Sequence, residues 1–133
     1  MIGRRPATLY VPALAIFFAL LLVSARPAQA QTETVLYSFG SQAGDGEFPV
    51  AGLILDKKGN LYGTTIVGGA YGEGTVFELT AAGTEKVLYT FGSQSGDGAY
   101  PAAGMTFDKK GNLYGTTSGG GAYDEGTVFK LTP

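Results

Sequence analysis

Two glycine-bounded segments hold the side chains best suited to chemistry. Tyr71 and Glu73 lie in Gly68-Gly69-Ala70-Tyr71-Gly72-Glu73-Gly74, and Tyr123, Asp124 and Glu125 lie in the matching stretch from Gly119 to Gly126. Glu73 and Glu125 form the best pair for acid and base work, with Asp124 beside one of them. A glycosidase needs two carboxylates about 5–10 Å apart across a sugar, and residues at equivalent positions of neighbouring repeats come that close only near a common axis. The other chemistry is binding. A tyrosine between glycines offers a flat apolar ring with a hydroxyl, which stacks on sugar rings or anchors a protein partner. Two plainer outcomes compete with these: loop carboxylates are mostly solvated, and a Tyr half-covered by its neighbour is ordinary.

Other catalytic sets are ruled out by composition. The chain has no His and no Cys, so it has no imidazole base, no thiol nucleophile and no zinc site of the usual ligand type. Asp45 and Asp97, each in Gly-Asp-Gly, lack the dense alternating carboxylates of a calcium loop and are expected to form turns; Asp56 and Asp108 are turn openers on the same argument. The glycine-rich loop contains no Lys and precedes a strand, which excludes a Walker phosphate loop. It also has no nine-residue period, which excludes a calcium-binding β-roll. No cofactor, no metal and no catalytic residue are expected.

The elements that position these residues are written twice. Residues 35–81 align without a gap onto 87–133 at an offset of 52, with 34 of 47 pairs identical. Such a period marks an array in which one supersecondary unit leans on the next copy. Each copy shows short β-prone runs parted by turns and no helical apolar period. In the first these are Leu53–Leu55, Leu61–Thr65, Thr75–Leu79 and Val87–Phe91. Asp56-Lys57-Lys58-Gly59-Asn60 is a hairpin turn with Gly59 in the left-handed position, repeated as Asp108 to Asn112. Phe77 and Leu79 are expected to face a core, and Val76 and Glu78 solvent, because the Glu78 position becomes Lys130 in the second copy. Tyr62 and Tyr114, inside strands, are expected in the core.

Four antiparallel strands in about 50 residues have the dimensions of a propeller blade. The segments Asp56 to Thr65 and Gly74 to Leu79, with their twins at 108–117 and 126–131, resemble the GloVer tandem repeat of exported bacterial proteins. More distantly, the Asp-x-x-Gly-Asn-Leu-Tyr core is similar to propeller blades of the NHL and SMP-30 type. The resemblance implies a secreted, propeller-like array, and it brings no established activity and no catalytic residues. The expected fold is all-β, with two four-stranded antiparallel blades forming an incomplete propeller or part of an oligomeric ring. Val35–Phe39 is expected to be a fourth-type strand with no blade before it, completing the last blade by pairing with the C-terminal three strands. Two blades cannot close around an axis, since rings have about 4–8, so a homo-oligomer is expected in which this strand joins a neighbouring copy.

The N-terminus is expected to direct export. Arg4 and Arg5 precede an apolar run of 11 residues, Ala13 to Val23, and Ala28-Gln29-Ala30 places small residues where a signal peptidase reads. Cleavage after Ala30 leaves no membrane span and gives three parts: leader 1–30, first blade 31–86 with its N-terminal strand, and second blade 87–133. Residues 31–133 keep six Lys against eleven Asp and Glu, a net charge of −5. That balance offers no footprint for nucleic acid. The expected role is an extracellular binding or scaffold module, secreted, periplasmic or on the cell surface, with a glycan or an extracellular protein as partner. Two alternatives are a piece of a longer array and, less in keeping with two near-identical copies, an extracellular carbohydrate-active enzyme.

Overall fold

The computed structural model describes residues 30–133. Of the expected leader, 1–30, residues 1–29 lie outside the described residues, and Ala30 at its end is exposed. The described residues contain no helix, and so none long and apolar enough to cross a membrane. In chain order the strands are β1 (Gly46–Glu47), β2 (Ile54–Leu55), β3 (Leu61–Thr65), β4 (Val67–Gly68), β5 (Thr75–Leu79), β6 (Glu85–Thr90), β7 (Gly98–Ala99), β8 (Thr106–Phe107), β9 (Leu113–Thr117), β10 (Gly119–Gly120) and β11 (Thr127–Leu131).

They form small antiparallel sheets, none closed into a barrel. The first repeat gives a four-stranded sheet in the order β2-β3-β5-β6, and the second a three-stranded sheet in the order β8-β9-β11. The registers match: Tyr62 lies opposite Glu78 and Tyr114 opposite Lys130. β6 follows residue 84 yet completes the first sheet, so the strand that begins the second repeat belongs to the sheet of the first. Two ribbons that sequence patterning misses, β1 with β4 and β7 with β10, flank the sheets. They consist largely of glycine, which has no side chain to show a β period.

The expected strand over Val35–Phe39 is not formed. A strand needs a neighbour to accept its ladder, and among the described residues none lies beside it; Val35 and Leu36 are exposed. The end of this segment is nevertheless anchored. The Tyr37 hydroxyl donates to Asp45 Oδ2 at 2.8 Å, and Phe39 meets the Phe77 ring edge-on at 4.8 Å. In the second repeat the Tyr89 hydroxyl donates to Asp97 at 2.9 Å and Phe91 meets Phe129 at 5.2 Å.

The core lies between the two sheets. Val76, Phe91, Met105 and Leu113 are buried together, with Ile54, Tyr62, Leu88 and Phe129 packed around them. Phe77 and Leu79 are buried as expected, but Val76, expected to face solvent, is 0% exposed. The second sheet covers the face that a lone sheet would leave wet. Its twin Val128 is 80% exposed, as the pattern alone implies. Glu78 is half-buried rather than solvated, because the Tyr62 hydroxyl donates to it at 3.0 Å. Burial, followed by the Glu78 carboxylate, pushes that hydroxyl up to about 12. Both strand tyrosines, expected in the core, are half-buried: Tyr62 packs edge-to-face on Phe107 at 5.1 Å at the margin of the core, and Tyr114 has the Lys130 ammonium 5.8 Å from its ring centre. Gly63 sits in the middle of β3 because a Cβ there would lie 2.6 Å from the Phe77 ring and 2.7 Å from Leu53. The missing side chain lets that ring cross the strand.

Candidate functional site: the glycine loops and the seam cleft

Each tyrosine-bearing loop is closed on itself. In the first, Gly74 N donates to Gly68 O at 3.1 Å and Gly69 N to Asp45 O at 2.7 Å; in the second, Gly126 N donates to Gly120 O at 3.0 Å and Gly121 N to Asp97 O at 2.7 Å. Gly74 has φ +96, and a Cβ on it would lie 2.7 Å from Ile66 O and 2.8 Å from Pro101 Cδ. No L side chain fits such a position without strain. Asp124 replaces Gly72 of the first loop and keeps its left-handed backbone, φ 58. Its own carboxylate supports the turn by accepting from Gly120 N at 2.9 Å.

The closed loops hold the tyrosines outward. Tyr71 is 59% and Tyr123 88% exposed. The difference comes from the next repeat. Tyr71 Cβ and the Glu73 Cβ and Cγ stand over Gly92, where an added Cβ would lie 3.3, 3.3 and 2.8 Å away. Glu73 O accepts from Tyr100 N at 2.9 Å and Gly74 O from Phe91 N at 3.0 Å. The first loop is thus clamped by the second repeat, and the second loop stands clear.

A cleft of about 390 Å³ opens at this seam, with Glu73, Gln94, Asp97, Tyr100 and Asp124 around a floor of glycine backbone. The Glu73 carboxylate, first as hydrogen-bond partner and then as neighbouring charge, raises the Tyr100 hydroxyl above its ordinary value. The structure therefore brings Glu73 together with Asp124, not with Glu125. Glu125 is exposed and does not line the cleft. Sequence patterning does not mark Tyr100 as a site residue. The available indication was the change from Phe48 to Tyr100 between twins that share a positive φ, 57 and 58, which adds one hydroxyl to an otherwise repeated corner.

The remaining aspartates are committed to turns. Asp45 accepts from the Tyr37 hydroxyl and the amides of Gly40, Ser41 and Gly46. Asp97 accepts from the Tyr89 and Ser93 hydroxyls and the amides of Ser93 and Gly98. Asp56 accepts from the Lys58 and Asn60 amides, the Asn60 side chain and the Tyr62 hydroxyl, and Asp108 does the same with Lys110, Asn112 and Tyr114. The Asn112 side chain, above all, holds Asp108 down to about 2 against the desolvation that opposes it. Among the described residues no group of three or more His, Cys, Asp or Glu is placed to hold a metal ion.

With that geometry established, the sequence pattern of the Gloeobacter/Verrucomicrobia repeat matches residues 21–133, which takes in both sheets, both loops and the cleft. The chain belongs to this repeat family. No curated protein matches it. Within the family span the two copies differ at the positions that shape the cleft, Phe48 against Tyr100 and Gly72 against Asp124, so the seam is not a plain duplicate of anything else in the chain.

Proposed function

We propose that this member of the Gloeobacter/Verrucomicrobia repeat family is an exported, non-catalytic binding module that grips an extracellular glycan or protein through its glycine loops. One observation carries this reading: two backbone-closed loops each present an exposed tyrosine beside a carboxylate. Rigid loops lose little entropy on binding, and aromatic rings supply contact area at low conformational cost. The cleft adds hydrogen-bonding edges from Glu73, Tyr100 and Asp124 next to Tyr71. Two weak sites on one chain reinforce each other when a ligand repeats. Glu73 and Glu125, the pair best suited to acid and base work, do not line one cleft, which favours binding over glycoside hydrolysis.

The test is a glycan array followed by calorimetry on the chain and on Tyr71→Ala, Tyr123→Ala and the double variant. Each single change should cost about 1–3 kcal/mol at its own site, in the range of an interface anchor, and the double change should lose the avidity gain altogether. Because both rings are largely exposed, the thermal midpoint should stay put. Unchanged binding by the double variant, or its unfolding, refutes the reading.

A further inference from the structure

We propose that this chain assembles head to tail with copies of itself, using as joint the contact that already links its two repeats. The internal seam supplies the template. One half is the outer face of the first sheet, with Val76 and Tyr62; the other is the inner face of the second, with Met105, Phe107 and Phe91. Phe91 N and Tyr100 N donate across it to Gly74 O and Glu73 O. Every one of these positions has a twin 52 residues away.

The twins are the surfaces left bare. On one end of the chain Val128 is 80% exposed where Val76 is 0%. On the other, Leu53 and Leu55 are 52% and 63% exposed, where their twin Met105 is 8% and their twin Phe107 is half-buried. Among the described residues Phe39 N, Phe48 N, Glu125 O and Gly126 O lack the partners that Phe91 N, Tyr100 N, Glu73 O and Gly74 O have. Each bare end is thus half of an interface whose fit is displayed inside the same chain. Bare apolar faces of this kind mark interaction sites.

The edge strands agree. β11 is an outermost strand paired only with β9, and Thr34–Phe39 is a ready strand without a ladder. In the first sheet β6 lies on β5 with Glu78 opposite Lys86, Phe77 opposite Val87 and Val76 opposite Tyr89. Shifted by one repeat, the same register sets Lys130 of one copy opposite Thr34 of the next, Phe129 opposite Val35 and Val128 opposite Tyr37. Phe39 already packs on Phe77 of the first sheet as Phe91 packs on Phe129 of the second, so the segment is in place for a strand-addition joint. Such an interface is heterologous: it joins unlike ends and closes into a ring only when the rotation per copy allows. Closure at about four to eight blades takes two to four copies.

Light scattering on the full-length chain, expressed for secretion, should give a mass of two to four copies. Val128→Asp blocks one end and Leu55→Asp the other, and each variant alone should run as a monomer. Mixed in equal amounts they should form a two-chain species and nothing larger, since one good joint survives. In a chain without cysteine, Thr34→Cys with Lys130→Cys, both at exposed positions, should form disulfides between molecules and report the register even if an Asp variant folds poorly. A wild-type monomer at the highest soluble concentration overturns the proposal. So does assembly by Val128→Asp as in the wild type, a mixture that stays monomeric, or a disulfide that forms only within one chain.

Discussion

Truncating Val76 and Val128 to alanine in parallel measures what the second sheet does for the first. The two residues have the same sequence neighbours, Thr and Phe, and face the same way from twin strands. Any loss of β propensity, up to about 1 kcal/mol, is therefore common to both and cancels in the comparison. What differs is cover: Val76 is 0% and Val128 80% exposed. Removing two fully buried methyl groups loses roughly 0.8 kcal/mol each in transfer, and the unfilled cavity adds a further term. The difference between the variants should be about 2 kcal/mol. In a folded unit of 100 residues, Thr34–Pro133, that is a gap of about 8–16 °C in midpoint, Val76→Ala lower. Circular dichroism melts in dilute protein are the assay. If copies assemble as proposed, Val128 becomes buried too, and the gap should narrow as concentration rises. Equal midpoints at the lowest concentration would mean that the inter-sheet contact adds no stability, and the reasoning from burial would fail.

Acid should weaken the fold through its hairpin turns. The folded Asp108 carboxyl lies near 2 against an ordinary 3.8, and a depressed carboxyl gives stability that is present above its unfolded value and lost as pH falls from about 4 to 2. Asp108→Asn should flatten the acid limb of a urea-melt series over that window, and an unchanged slope would show that the turn is not the source. Export predicts a separate result: intact-mass analysis of secreted protein should find Gln31 as the first residue, and retention of the first thirty residues in a membrane fraction would refute cleavage after Ala30.

The doubling of the sequence made the longer strands of both sheets and the Asp56 and Asp108 turns legible, because each rests on local chemistry read twice. The ribbons β1–β4 and β7–β10 were not legible, since glycine leaves no alternation to read. Nor was the burial of Val76, which depends on a sheet 30 residues further along the chain. The failure of Val35–Phe39 to form a strand has the same origin: propensity says what a segment can do, and the ladder partner decides whether it does. At the site, Tyr71 and Glu73 could be picked from the loop, yet the pairing of Glu73 with Asp124 and Tyr100 arises only where two repeats meet.

Strand β6 closes the first sheet, and Phe91, the residue right after it, is seated in the core beside the second. The chain therefore has no slack between its repeats. Pulled from its ends, it cannot pay out one repeat while the other holds, because drawing β6 from its ladder also extracts Phe91 from beneath the neighbouring sheet. A chain built this way should meet tension as a single stiff link, and hold its full length until both repeats give way in one step.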